Sequence, residues 1–172
     1  MNLWLRLLRV LIGALFGAPV GLLDASRLSF RVWPTDLDPN IHMNNARYLA
    51  LMDLGRVDLM ARSGLLRTAL KRRWQPVLGG SAIRYRRPLR PFQRFTLATR
   101  LLSWDDKWLY IEHRVETAGG LAAVAVVKGL FLGPGGPVPT ADILAAHGPV
   151  PPTAPPAWAT AWRDLDSALD GG

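Results

Sequence analysis

The residues best equipped for chemistry lie in one short stretch. Asp36-Leu37-Asp38-Pro39-Asn40-Ile41-His42-Met43-Asn44-Asn45 gathers two carboxylates, three amides and one imidazole into ten consecutive positions, with Tyr48 just beyond. Asn44 or Asn45 makes a good helix N-cap, and the apolar spacing that follows is helical. A helix start presents backbone N–H groups without partners, and its positive end favours a developing negative charge. A carboxylate held beside such donors can attack an acyl carbonyl such as that of a thioester, or activate a water for that attack, while the amides hold the oxyanion. The competing reading is a capped loop, in which Asp36 and the asparagines only satisfy orphan amides. The residues by themselves leave both readings open.

Composition narrows the field. The 172 residues include no cysteine, which excludes disulfides, thiol nucleophiles and cysteine metal sites. The three histidines, His42, His113 and His147, are too scattered to suggest a shared metal site. A net charge of +8 and a pI near 11.0 call for an anionic partner: nucleic acid, phospholipid or a phosphorylated ligand. Basic clusters at Lys71-Arg72-Arg73, Arg84-Arg86-Arg87 and Arg90-Arg94 sit inside segments that otherwise read as helix and strand. A nucleic-acid protein would often show a basic run with interleaved aromatics or a known motif, so nucleic-acid binding rests on charge alone. A solvated basic face is the plain alternative.

A loop of this kind needs a frame to hold it. Residues 28–33 predict a strand ended by Pro34, which cannot donate to a ladder. Residues 46–63 predict a helix, with Tyr48, Leu49, Met52, Leu59 and Met60 near helical spacing. On its surface Asp53 with Arg56 and Asp58 with Arg62 are spaced to pair. Gly55 inside it costs about 1 kcal/mol against alanine, so a close backbone approach is expected there. A short helix over 65–73 follows. Residues 75–87, 92–103, 107–117 and 121–132 then read as four strands separated by turn signals. The last is nearly all apolar, as a central strand covered on both sides would be. Gly79-Gly80 reads as a bulge or close approach, Trp104 and Trp108 as packing, and His113 as a packed, hydrogen-bonded histidine. The order strand, long helix, four hairpin-like strands suits an α+β architecture, an antiparallel sheet wrapped around one buried helix.

Both termini stand apart. Residues 1–24 carry Arg6 and Arg9 ahead of an apolar stretch shorter than the roughly 20 residues of a membrane-crossing helix, with no convincing cleavage site. They are expected to form an uncleaved helix at a membrane interface, Trp4 and both arginines at headgroup level. The alternatives are a full span with snorkelling arginines or a helix that merely packs on the domain. Residues 25–148 form the main domain. Residues 149–172 form a proline-rich linker and a short amphipathic helix whose stripe is Trp158, Trp162, Leu165 and Leu169.

The run DLDPNIHMNNARY resembles the motif of hotdog-fold acyl thioesterases, where an aspartate pair and His-x-Asn-Asn precede a Tyr-containing helix. It is especially similar to the 4-hydroxybenzoyl-CoA thioesterase-like family and to the thioesterase superfamily member six group. Tyr85-Arg86-Arg87-Pro88-Leu89 resembles the same family's Tyr-x-x-Pro-Leu segment. The likeness runs from about Leu28 to Leu132. It implies a hotdog fold, acyl-CoA as substrate, Asp38 as catalytic base or nucleophile, and Asn40 and His42 orienting water or carbonyl. Asn44, Asn45 and Tyr48 would contact substrate, with amides near Asn44 and Asn45 as oxyanion donors, and Arg84, Arg86, Arg87 and Arg90 would meet CoA phosphates. It implies a homodimer or homotetramer, no cofactor and no metal; because acyl-CoA is intracellular and the domain is basic, residues 1–24 are expected to hold it on the cytoplasmic face of a membrane. Ile41 stands where many relatives have glycine, Pro88 where plant relatives have a catalytic glutamate, and Phe92-Gln93 where relatives often carry Gly-Asp. The rival reading is a membrane-associated acyl-chain or lipid-binding protein without catalysis. Asp53, on the helix, is the alternative catalytic carboxylate.

Overall fold

The computed structural model describes residues 2–154 and 156–170. Its centre is helix α2 (Asn45–Arg62), which buries Tyr48, Leu51, Met52, Leu54, Gly55, Asp58 and Leu59. Around it curls an antiparallel sheet of β1 (Ser26–Arg31), β2 (Gln75–Tyr85), β3 (Arg94–Trp104), β4 (Leu109–Thr117) and β5 (Gly120–Gly133), in the order β1-β3-β4-β5-β2, with β6 (Gly136–Val138) added on β5. Period-2 alternation explains the two faces. Phe95, Leu97 and Thr99 of β3 and His113 and Val115 of β4 turn inward and are buried, whereas Arg100, Glu112 and Arg114 form an ion-paired ladder outside. β5 lies between β4 and β2 as its apolar run predicts.

The expected close approach at Gly55 is present. A Cβ there would collide with the side chains of Thr99 and Leu97 on β3, so the helix can lie this deep in the sheet only without a side chain at that position. The register of β2 against β5 slips between Leu78 and Gly80, and Trp108 covers Gly79 so closely that no side chain would fit. Asp58 and Arg62 pair as expected, and Ser26 donates to the Asp58 carboxylate. That buried bond starts β1 at Ser26, two residues ahead of the apolar run.

Helix α1 (Leu3–Phe16) runs along α2, with Val10 in the core and Leu3 and Leu7 against it. Among the described residues no helix is long and apolar enough to cross a membrane. Arg6 differs from its expected headgroup position: it is 2% exposed and pairs with Asp36 at 2.5 Å, because the inner face of α1 meets the loop ahead of α2. Helices α3 (Leu65–Arg72) and α4 (Thr140–His147) bring Leu65, Ala69 and Ile143 into a second apolar cluster with Leu101, Leu109 and Phe131. Helix α5 (Ala157–Asp170) crosses the outer face of the sheet, where Trp158 and Trp162 pack on buried Tyr110 at ring-centroid distances of 5.7 and 6.4 Å. Lys128 sits over Trp108 and Trp162 and pairs with Asp166. Half of the C-terminal stripe is thus used, while Leu165 and Leu169 stay exposed.

Candidate active site

The chain enters the loop through a 3-10 turn, Pro34–Asp36, whose last residue is buried. Asp36 accepts from Arg6 and from the Trp33 amide, and its own carbonyl accepts from the Asn44 amide at 2.8 Å. Two residues on, the chain folds into a tight loop. The Asp38 amide donates to His42 O at 2.9 Å, and Leu37 bridges Met43. Inside that loop Asp38 Oδ1 accepts from the amides of Asn40 at 2.9 Å and His42 at 3.3 Å. The second carboxylate oxygen makes no hydrogen bond among the described residues. Asp38 is half-buried, and Asn40 and His42, within the same turn, carry side chains with no hydrogen-bond partner among the described residues.

Ile41 closes this turn in the left-handed region, with φ +59° and its side chain 64% exposed. Such a φ is rare for a β-branched residue. The position thus has the backbone conformation that glycine adopts without strain. Phe92 (φ +60°) is a second such case, and it caps Trp33 edge-on.

Helix α2 begins where expected, within a residue. Asn44 is the N-cap, and its Oδ1 accepts from the Ala46 amide at 2.9 Å. Both the amide and the side chain of Asn44 are therefore engaged in structure. The Asn45 amide has no partner among the described residues, which makes it the available donor at this helix start.

The two stretches that carry the resemblance meet here. Met43 N donates to Leu89 O at 2.9 Å, and Tyr85 Oη donates to Asn45 O at 3.3 Å. Tyr48, buried, stacks edge-on against Tyr85 with centroids 5.1 Å apart. Burial pushes the Tyr48 phenol up to about 12, although a hydrogen bond with the Leu89 backbone pulls it back. Tyr48 is therefore neutral and anchors the loop. Arg84, Arg86, Arg87 and Arg90 are all exposed on the adjoining segment. Arg87 donates to Gly119 O and lines a cleft with Arg90 and Gln93; the side chains of Arg84, Arg86 and Arg90 are free of partners among the described residues.

The sequence gives no sign of a second feature, an apolar cavity of about 290 Å3 between α2 and the sheet. Met60, Leu101, Leu109, Ile111 and Phe131 line it, with Asp53 and Arg56 as its charged residues. Strand alternation marks Leu101 and Ile111 as inward-facing, but nothing in it separates a cavity wall from a packed core. Asp53 pairs with Arg56, as its spacing predicts, and is 61% exposed. Behind them His113 is fully buried, with Thr99 Oγ1 3.0 Å from Nδ1 and Arg56 3.3 Å from Nε2. Burial, and then the Arg56 charge, push His113 down to about 3, so it is neutral. Burial also lowers Arg56, to about 10. This cluster is the packed, hydrogen-bonded histidine expected. Among the described residues no group of three or more His, Asp or Glu is placed to hold a metal ion.

The profile of the thioesterase-like superfamily matches residues 32–152. Protein THEM6 of Xenopus laevis is 45% identical over 93 residues, which cover 54% of this chain and 45% of the relative. The chain spans between 45% and 63% of the length of the three THEM6 relatives it matches. Among solved structures, the probable thioesterase YbaW of Escherichia coli superimposes with a TM-score of 0.66 at 21% identity, covering 70% of this chain and 94% of that one. A 4-hydroxybenzoyl CoA thioesterase mutant complexed with 4-hydroxybenzoyl CoA gives 0.63 at 16% identity, covering 73% and 99%. At those identities the superpositions establish the hotdog fold alone. With a curled antiparallel sheet around α2 and a profile match over most of its length, the chain belongs to the thioesterase-like superfamily.

Proposed function

We propose that the protein hydrolyses an acyl-CoA thioester, with Asp38 as base or nucleophile. One observation carries this reading: the two motif segments converge at the start of α2, beside a carboxylate with one oxygen uncommitted. As a base, Asp38 removes a proton from a water that attacks the thioester carbonyl. The Asn45 amide faces the developing oxyanion. The C–S bond then breaks, the thiolate of CoA takes a proton, and the free acid leaves. As a nucleophile, Asp38 itself displaces the thiol, and water releases the acid from the resulting anhydride. Asn40 and His42 orient water or carbonyl, Asn44 and Tyr48 hold the loop against the substrate, and Arg84, Arg86, Arg87 and Arg90 form the phosphate-facing rim.

The protein works as a homodimer or a dimer of dimers. β2 is a sheet edge of eleven residues, exposed along nearly its whole length, with Val77, Leu78 and Tyr85 uncovered. An edge of this kind is a template for pairing with a second copy. That copy would wall both the loop tip and the open side of the apolar cavity, which takes the acyl chain. Residues 1–24 hold the domain on the cytoplasmic face of a membrane, since the outer side of α1 is apolar and uncovered.

A second reading has its own support. Ile41 projects a large side chain from a position where glycine would leave the backbone open, which favours an acyl-chain binder that does not hydrolyse. Thiol release from a panel of acyl-CoAs separates the two readings. Hydrolysis predicts release that falls by about 10²- to 10⁴-fold in Asp38→Asn; retention of intact acyl-CoA across the panel establishes the second reading.

A further inference from the structure

Helix α1 is apolar on two sides. Its inner side packs on α2, while Trp4, Leu8, Ile12, Leu15 and Phe16 form an outer stripe, with Leu15 and Phe16 80% and 87% exposed. An apolar stripe facing away from the domain, with the exposed Arg9 beside it, suits a helix lying at a membrane interface. Fourteen residues give it a length of about 21 Å, short of the roughly 30 Å of a bilayer core, so it suits lying flat.

Beside it runs a groove of about 810 Å3 along β1 and β3. Arg31 and Arg94 lie directly opposite each other in the ladder and both line it. Like charges in that relation repel, and neither side chain has an acidic partner among the described residues. Arg9 lines the same groove, also without a partner. Arg6 borders it too; its Nε is buried and has no acceptor among the described residues, although its Nη2 holds Asp36. The acid in the groove, Glu116, is held by Arg27 and Arg114. Four arginines thus converge on a space with one acid that is already engaged.

We propose that this groove and the outer stripe of α1 form one docking surface for an anionic phospholipid bilayer, a lipid phosphate seated among Arg9, Arg31 and Arg94. The proposal rests on the membrane-surface reading of residues 1–24 and specifies its partner. The apolar stripe inserts among the acyl chains with Trp4 near headgroup depth. The phosphate relieves the Arg31–Arg94 repulsion and offers acceptors to guanidinium donors. The groove lies along β1, at the edge of the sheet opposite β2, so a lipid there and a second copy on β2 do not compete.

Co-sedimentation of the full chain with phosphatidylglycerol or phosphatidylcholine vesicles tests this. Binding to phosphatidylglycerol should exceed binding to phosphatidylcholine. Arg31→Gln/Arg94→Gln should weaken it by about ten- to thirtyfold, with a urea midpoint no lower than that of the parent and thiol release in solution unchanged. Leu8→Ser/Ile12→Ser should weaken binding to both vesicles. Equal binding to the two lipids overturns the headgroup site and leaves the membrane reading standing. No binding to either overturns both. Unchanged vesicle binding with lost CoA affinity in Arg31→Gln/Arg94→Gln also overturns the proposal, since the groove would then serve a soluble phosphate.

Discussion

The loop ahead of α2 holds two aspartates two residues apart, and they live in different worlds. Asp36 is 2% exposed, with Oδ2 bound by Arg6 and the Trp33 amide and Oδ1 facing the Arg47 guanidinium at 3.9 Å. Asp38 is half-buried, with one oxygen bound by its own loop and the other free. The two histidines repeat the contrast. His113 is buried and hydrogen-bonded on both nitrogens, whereas the His42 ring has no partner among the described residues. Commitment to partners, and not residue type, separates framework from chemistry here. An acid buried between two arginines stabilises the fold; a half-buried one held only by the amides of its own loop can act on a substrate.

The sharpest stability test of that contrast is Asp36→Asn. It leaves the Arg6 guanidinium buried without its counter-charge, and breaking such a pair typically costs about 3–5 kcal/mol. Urea denaturation should show that loss, together with loosening of α1. A change within experimental error would place Asp36 with Asp38 as a spare acid.

The histidine contrast is a pH prediction. The folded-state value of His113 lies below its ordinary value, at about 3 instead of 6.5. The unfolded chain therefore takes up a proton that the folded one refuses. Stability from this residue is fully present above about pH 6.5 and is lost progressively as pH falls toward 3. Urea midpoints measured at neutral pH and in mild acid should diverge for the parent and diverge less for His113→Gln, which keeps a hydrogen-bonding side chain but cannot titrate.

The smallest effect sharpens the picture at the loop tip. Ile41→Gly removes a β-branched side chain from a left-handed backbone, a strain of about 1–2 kcal/mol. Glycine's greater unfolded-state freedom offsets part of it. A gain of about 1 kcal/mol in denaturation is expected. Faster thiol release in the same variant would show that the side chain also obstructs the carbonyl.

Much of this arrangement was legible from the residues. The cap at Asn44, the close approach at Gly55, the irregular register at Gly79-Gly80 and the packed His113 follow from local rules about helix starts, glycine and alternation. The unequal roles of Asp36 and Asp38 do not. Arg6 lies thirty residues from Asp36, and only tertiary packing brings the inner face of α1 onto the loop. Composition put Arg6 at a membrane surface because it shows charges and cannot show their partners. The early start of β1 escaped for the same reason, since Ser26 is held by Asp58 from across the core. The apolar cavity was hidden because leucines on a cavity wall and in a packed core have the same spacing.

The most direct test of the central claim takes both aspartates together, scoring Asp36→Asn and Asp38→Asn for urea midpoint and for thiol release from acyl-CoA. In Asp38→Asn the amide oxygen still accepts from Asn40 and His42, so the midpoint should match the parent while release falls by about 10²-fold or more. Release at the parent's rate from Asp38→Asn, in a protein with an unchanged midpoint, would contradict the account.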